Sequence, residues 1–297
     1  MQKIRNLFDT LHIFFLSEKT KKKSERLIIK IAIASFILHS LLIALVDFKI
    51  LQISDSSGLL RNPIVAIYTP FSFILIYEVY LLVYYLPKSI SKYIGKQYEI
   101  ITLILIRRIF KDLSKIQFTP DWFEIKGDLQ FTYDIIATIF LFYLIYYFYK
   151  LNQKKTEQDE KVSLTPEMAT FVETKKKIAT VLVPVLLVLA VISFTSWVHE
   201  NFITVSKIVG SVRDINKIFF DEFFTVLILT DVLLLLISFF HTDQFSKVIR
   251  NSGFIISTIL IKLSFGIDGL LNTVMTVVAV LIGVIILKIH NQYEKLE

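Results

Sequence analysis

The chain has 297 residues, of which 54% are hydrophobic and 14% aromatic, with a mean hydropathy of +0.62 and a net charge of +7. That apolar share exceeds the roughly 45–50% of soluble domains, which argues against an ordinary water-soluble fold. The absence of cysteine excludes disulfide staples and thiolate metal sites.

Residues 1–26 form a basic segment without the small-residue cleavage site of a signal peptide, so they are expected to stay in the mature chain. Ile4, Leu7, Phe8, Leu11, Phe14 and Phe15 share one helical face, which suits a helix lying in the membrane interface. A flexible basic tail is the alternative reading of the same residues. Apolar runs then predict helices at about 27–47, 63–86, 97–113, 129–149, 178–198, 219–240, 252–266 and 268–289. Most are close to the ~20 residues a helix needs to cross ~30 Å of hydrocarbon, and they lack the alternation of an outer-membrane barrel. The expected fold is an all-α integral membrane protein with eight transmembrane helices.

Lys and Arg are concentrated in the segments on one side of these crossings, so the positive-inside rule places both the N- and C-termini in the cytoplasm. The polar stretch 151–177 divides the chain into a first repeat at 27–150 and a second at 178–297. Lys21, Lys22 and Lys23 precede the first helix of one half, and Lys175, Lys176 and Lys177 precede the first helix of the other. These clusters are read as facing anionic lipid, which accounts for the positive charge without nucleic acid.

The halves also share a pattern of charge. Lys92–Phe110 can be laid on Lys247–Phe265 with 8 of 19 positions identical, placing Arg107 over Lys262. Each half has an acid in its second helix, Glu78 or Asp231, and a base in its third, Arg107 or Lys262. Because each unit holds four crossings, the repeats are parallel in the membrane. Counting 1.5 Å per residue from the ends of the apolar runs puts Glu78 roughly 12 Å and Arg107 roughly 15 Å above the cytoplasmic side. Each acid is therefore expected to pair with the base of its own half, either as a structural lock or as a polar pathway or switch. Asp134, near the outer start of the fourth helix, offers Arg107 a second partner, and Asn272 holds the corresponding place in the second half.

An acid in the second helix, a basic cytoplasmic turn, a third helix ending in a base and an Asp opening the fourth resemble the phosphate-starvation-inducible PsiE family of four-helix bacterial inner-membrane proteins. Residues 219–290 resemble it best: Asp231 stands at the family's Glu, Lys262 at its Arg, HTDQFSKVIRN at its basic turn and Asn272 at its Asp. In residues 63–150 the counterparts are Glu78, Arg107 and Asp134. The chain departs from the family in being a fused double unit, with all three positions changed in the second repeat. The resemblance implies an architecture and a bacterial inner-membrane location, and no defined chemistry.

Glycine-rich phosphate loops, dinucleotide fingerprints, serine elbows and zinc-binding helices are missing from the sequence, and the five histidines fall in different segments. The sequence therefore reads as non-enzymatic, with no cofactor. A membrane sensor, regulator or assembly component is expected; an ion or proton channel or transporter using Glu78, Arg107 and Asp134 is the alternative. Partner chemistry is limited to anionic lipid, another membrane or cytoplasmic protein, or a second copy of the chain.

Overall fold

Ser17 divides the N-terminal apolar stretch into two helices. Its backbone is extended, with φ −78° and ψ 154°, and its hydroxyl accepts from the Thr20 amide at 3.2 Å, so it caps the second helix where four amides lack intrahelical partners. The computed structural model describes residues 2–51, 63–113, 126–159, 166–198, 215–240, 245–267 and 269–296. Their helices are α1 (Gln2–Leu16), α2 (Glu18–Asp47), α3 (Tyr68–Tyr85), α4 (Ile90–Leu113), α5 (Lys126–Asp159), α6 (Pro166–Val198), α7 (Ile215–Phe239), α8 (Phe245–Phe265) and α9 (Leu270–Tyr293), with a 3₁₀ turn at Pro63–Ile67. Among the described residues there is no strand.

Five described stretches are long and apolar enough to cross a membrane: Phe8–Asp47, Asp128–Gln153, Glu222–Phe239, Phe245–Phe265 and Leu270–Tyr293. Thr69–Tyr85 is apolar but shorter. Large apolar side chains face outward along these helices, including Ile136, Ile139, Phe142, Leu229, Leu233 and Val274. Such continuous apolar surface suits lipid, which is as apolar as the side chains it meets. The chain is thus a multi-pass membrane protein built from helices.

Several helices are longer than the apolar runs they contain. α4 starts at Ile90 instead of 97, and α8 at Phe245 instead of 252. The extra turns, ISKYIGK and FSKVIRN, are amphipathic and carry lysine or arginine, so hydropathy alone stops short of them. Likewise α5 runs ten residues beyond 149 and α6 begins twelve before 178, so much of the expected polar linker is helical. α1 is a helix packed along α6, with His12 Nδ1 3.3 Å from Thr180 Oγ1, in place of a flexible tail.

Within each half, successive helices pack on one another: α2 on α3, α3 on α4 and α4 on α5, then α6 on α7, α7 on α8 and α8 on α9. The halves join mainly through α5 and α9, with α4 crossing α8. One apolar cluster runs through both halves, holding Tyr98, Phe148, Phe254, Val284 and Leu287. The rings of Tyr98 and Phe148 meet edge to face at 5.2 Å, and Phe148 meets Phe254 at 5.9 Å, tying α4, α5 and α8 together. Gly283 permits the close approach of α9, since a β-carbon there would overlap the Tyr98 hydroxyl. The units 27–150 and 178–297 therefore share one core.

Candidate functional site: a buried polar network between the halves

The early start of α4 and α8 decides where the charges meet. Arg107 and Lys262 each lie 17 residues into their helix, about 25 Å at the helical rise, whereas Glu78 and Asp231 lie 7 and 8 residues, about 11 Å, from the ends of α3 and α7. The expected pairs are thus out of level in both halves, and the structure re-partners them. Glu78 has Lys96, Glu99 and Glu25 as its charged neighbours, while the Arg107 side chain is buried elsewhere on α4. Lys262 Nζ donates to Thr225 Oγ1 at 2.5 Å, six residues ahead of Asp231 on α7. Asp231 accepts instead from Gln97 Nε2 of the other half at 3.1 Å.

Where the C-terminal end of α4 meets the first turns of α5, the base that reaches Asp134 is Arg108. Its Nε and Nη2 donate to the two carboxylate oxygens at 2.5 and 2.6 Å, the bidentate fork that guanidinium geometry favours. Nη1 donates to Asn272 Oδ1 at 2.6 Å, and Nη2 also reaches Thr273 Oγ1 at 2.9 Å, both on α9. Thr273 and Gln130 donate to Asp134 Oδ1 at 2.6 and 2.8 Å. Asp134 is fully buried, so this clamp supplies the partners its carboxylate needs away from water. The sequence expectation that Asp134 and Asn272 correspond finds them sharing one arginine. Arg108 escaped notice because Arg107, beside it, lined up with Lys262.

Hydroxyls and amides continue the network inward along α4, α8 and α9. Thr276 Oγ1 donates to Ser264 Oγ at 3.0 Å, and Asn272 Nδ2 to the Ser264 carbonyl at 2.5 Å. The Tyr98 and Ser257 hydroxyls are 2.9 Å apart, and Thr258 Oγ1 donates to Gln97 Oε1 at 2.8 Å. Gln97 thus bridges Thr258 to Asp231.

Toward the N-terminal ends of α4 and α8 a cavity of about 40 Å³ opens between α4, α6, α7 and α8, lined by Tyr93, Lys175, Asp231, Ser238 and Asn251 among apolar side chains. Tyr93 is buried beside Asp231, and its hydroxyl makes no hydrogen bond. Lys175 corrects an expectation: it does not face lipid. Because α6 begins at Pro166, Lys175 shares a buried face with Phe171 and Ala179, at four-residue spacing, and is only 4% exposed. Its Nζ donates to the Lys88 carbonyl at 2.6 Å. Burial pushes this amine down to about 8; Asp231 opposes that shift and Arg250 adds to it. Lys176 and Lys177 are exposed, as are Lys22 and Lys23. Lys21 sits over the rings of Tyr84 and Tyr85, at 5.0 and 5.5 Å from their centroids.

Beyond the cavity, Arg250 Nη1 lies 3.0 Å from His290 Nε2, which is 3.2 Å from Glu294, so α8 and α9 are tied at the same end. No cluster of three or more His, Cys, Asp or Glu able to hold a metal ion occurs among the described residues. Comparison with protein-family models, curated proteins and solved structures returns no match.

Proposed function

We propose that the chain is a bacterial inner-membrane sensor, regulator or assembly component without catalytic chemistry, and a tandem duplication of a PsiE-like unit. In this reading it crosses the membrane eight times with both termini cytoplasmic, its exposed lysines meeting anionic lipid. The observation that carries the functional reading is the placement of Lys175. A cation from the segment that joins the halves is set into the bundle beside Asp231, which Gln97 links toward the rest of the polar network. Movement of that segment and rearrangement of the bundle are then coupled, as a transmitting device requires.

A specific observation favours the transport alternative: buried hydroxyls and amides lie at successive levels between the Arg108 clamp and the cavity. In that reading Glu78, Arg107 and Asp134 are the gating or coupling group. Two measurements separate the readings. Purified protein in liposomes is expected to pass no protons or monovalent cations beyond protein-free vesicles. Arg108→Leu is expected to speed hydrogen exchange in the first three turns of α6, far along the bundle from the substitution. A flux that Glu78→Gln abolishes in a folded protein would replace the regulatory reading with the transport one.

A further inference from the structure

The inner cavity contains groups that do not complete one another. Lys175 and Asp231 both line it and interact through charge, yet they form no direct ion pair; the ammonium is bonded to the Lys88 carbonyl and the carboxylate to Gln97. The Tyr93 hydroxyl, in a side chain 4% exposed, also lines the cavity without a hydrogen bond. A space of about 40 Å³ admits two or three water molecules, each needing roughly 10–15 Å³ and two to four polar partners. Lys175, Tyr93 and Asp231 supply those partners around one small volume.

We propose that this cavity is a proton-binding site: a hydrated Lys175–Asp231 pair that takes up one proton from the cytoplasm and thereby releases the start of α6 from the bundle. The inference rests on the regulatory reading and names its signal. Before uptake the pair is an ammonium and a carboxylate with no net charge. A proton delivered by a hydronium ion through the cavity water adds to the Asp231 carboxylate, leaving a neutral acid and returning the hydronium as water.

The remaining ammonium is then buried with no anion across the cavity. The charged groups facing it are Lys175 itself from α6, Asp231 from α7 and Arg250 from α8, with His290 of α9 behind Arg250; Tyr93 and Gln97 of α4 and Asn251 of α8 are neutral, and the turn before α4 contributes the Lys88 carbonyl. Protonation therefore leaves the Lys175 ammonium without the carboxylate that offsets its burial, while Arg250 still acts against it. A buried charge that loses its partner is strongly destabilised. Lys175 has a short way to water, because Lys176 and Lys177 next to it are already exposed. Undocking of the Pro166–Lys177 turns relieves the cost. The lowered affinity of the buried Lys175 amine for its own proton agrees with this geometry.

The chain contains no cysteine, so paired spin labels can be placed without removing any residue chemistry. Labels at Ser89→Cys and Thr174→Cys, which do not line the cavity, report the distance between the turn before α4 and the start of α6. In nanodiscs at pH 8 one short distance is expected; below the midpoint a longer population should grow tenfold relative to it per pH unit, the signature of one proton. At pH 5, where the Lys175 amine carries its proton, Asp231→Asn should show the longer distance. Lys175→Met combined with Asp231→Leu should keep the short distance at every pH, which also guards against a simple folding defect. A wild-type distance unchanged between pH 5 and 8, or a folded Asp231→Asn chain that stays docked at pH 5, overturns the proton site. If that happens while Arg108→Leu still speeds exchange in α6, the regulatory reading survives without its signal; if Arg108→Leu has no such effect, that reading falls on its own measurement.

Discussion

Arg108 holds Asp134 through both carboxylate oxygens, at 2.5 and 2.6 Å, while its remaining nitrogen reaches Asn272 on the far half of the chain. A single side chain thus satisfies the acid of its own half and fastens it to the residue at the corresponding place in the other. The second half, lacking the acid, contributes an amide and a hydroxyl that accept from the same guanidinium. An uncharged amide at Asn272 suits this arrangement, since a second carboxylate beside Asp134 would need a second cation.

Removing Arg108 leaves Asp134 buried with only Gln130 and Thr273 as donors. Arg108→Leu is expected to lower stability by about 3 kcal/mol, in the range found when one member of a buried pair is lost. Arg108→Lys should recover only part, because a single ammonium cannot reproduce the fork to both oxygens and reach Asn272 as well. Replacing both members, Arg108→Met with Asp134→Leu, should restore most of the loss. Chemical denaturation in a mild detergent, comparing the three variants with the parent chain, measures this.

Glu78 and Arg107 provide the converse prediction. Lying at different levels, they are expected to behave as independent sites: the coupling energy in a double-mutant cycle of Glu78→Gln and Arg107→Gln should stay within about 0.5 kcal/mol, while the Arg108 and Asp134 cycle should exceed about 2 kcal/mol. Charge reversal at Glu78 and Arg107 together should fail to rescue either single change. A strong coupling between Glu78 and Arg107 would mean that the two side chains meet after all.

The contrast between those pairs shows what the sequence holds and what it hides. Each of the eight apolar runs overlaps a helix of the structure, because length and hydropathy are local properties of composition. Pairing is not local. Helices α4 and α8 each begin two amphipathic turns before their apolar runs, and these turns place Arg107 and Lys262 about 10 Å further along their helices than the apolar boundaries imply. Depth counted from the apolar boundaries carries the same offset in both halves, so the two expected pairings are displaced alike. Asp134 and Asn272 share a partner, and it is Arg108, one position away from the residue that aligns with Lys262. Lys175 was hidden for a similar reason: its place on the buried face of α6 follows from Phe171 and Ala179, and part of that face lies in a segment that reads as polar linker.

Tyr98 and Gly283 give a test of the core where the halves cross. Gly283→Ala puts a methyl group against the Tyr98 hydroxyl, which is 2.9 Å from Ser257. The overlap forces either α9 or the tyrosine to shift, and overpacking of this kind costs typically 1–3 kcal/mol. Tyr98→Phe alone should cost about 1 kcal/mol for the lost hydrogen bond. In the Gly283→Ala background the same change should be neutral or stabilising, because it removes the atom that is struck. Thermal melts of the four chains in one detergent decide it; equal and additive losses would contradict the contact.

Lys175 sets an alkaline dependence that can be worked out in sign. Its folded value is about 8, whereas an unfolded lysine titrates near 10.4. Between these values the unfolded chain carries a proton that the folded chain has released, so the unfolded state binds more protons and stability rises with pH. The rise begins near pH 8, ends near pH 10.4 and amounts to about 3 kcal/mol, the free energy of a shift of some two units. Lys175→Met has nothing to titrate there and should remove that part of the slope, leaving the curve flatter between pH 8 and 10. Denaturant midpoints across this range, in wild type and Lys175→Met, distinguish a buried lysine from one that faces lipid headgroups and water, for which the two curves would run parallel.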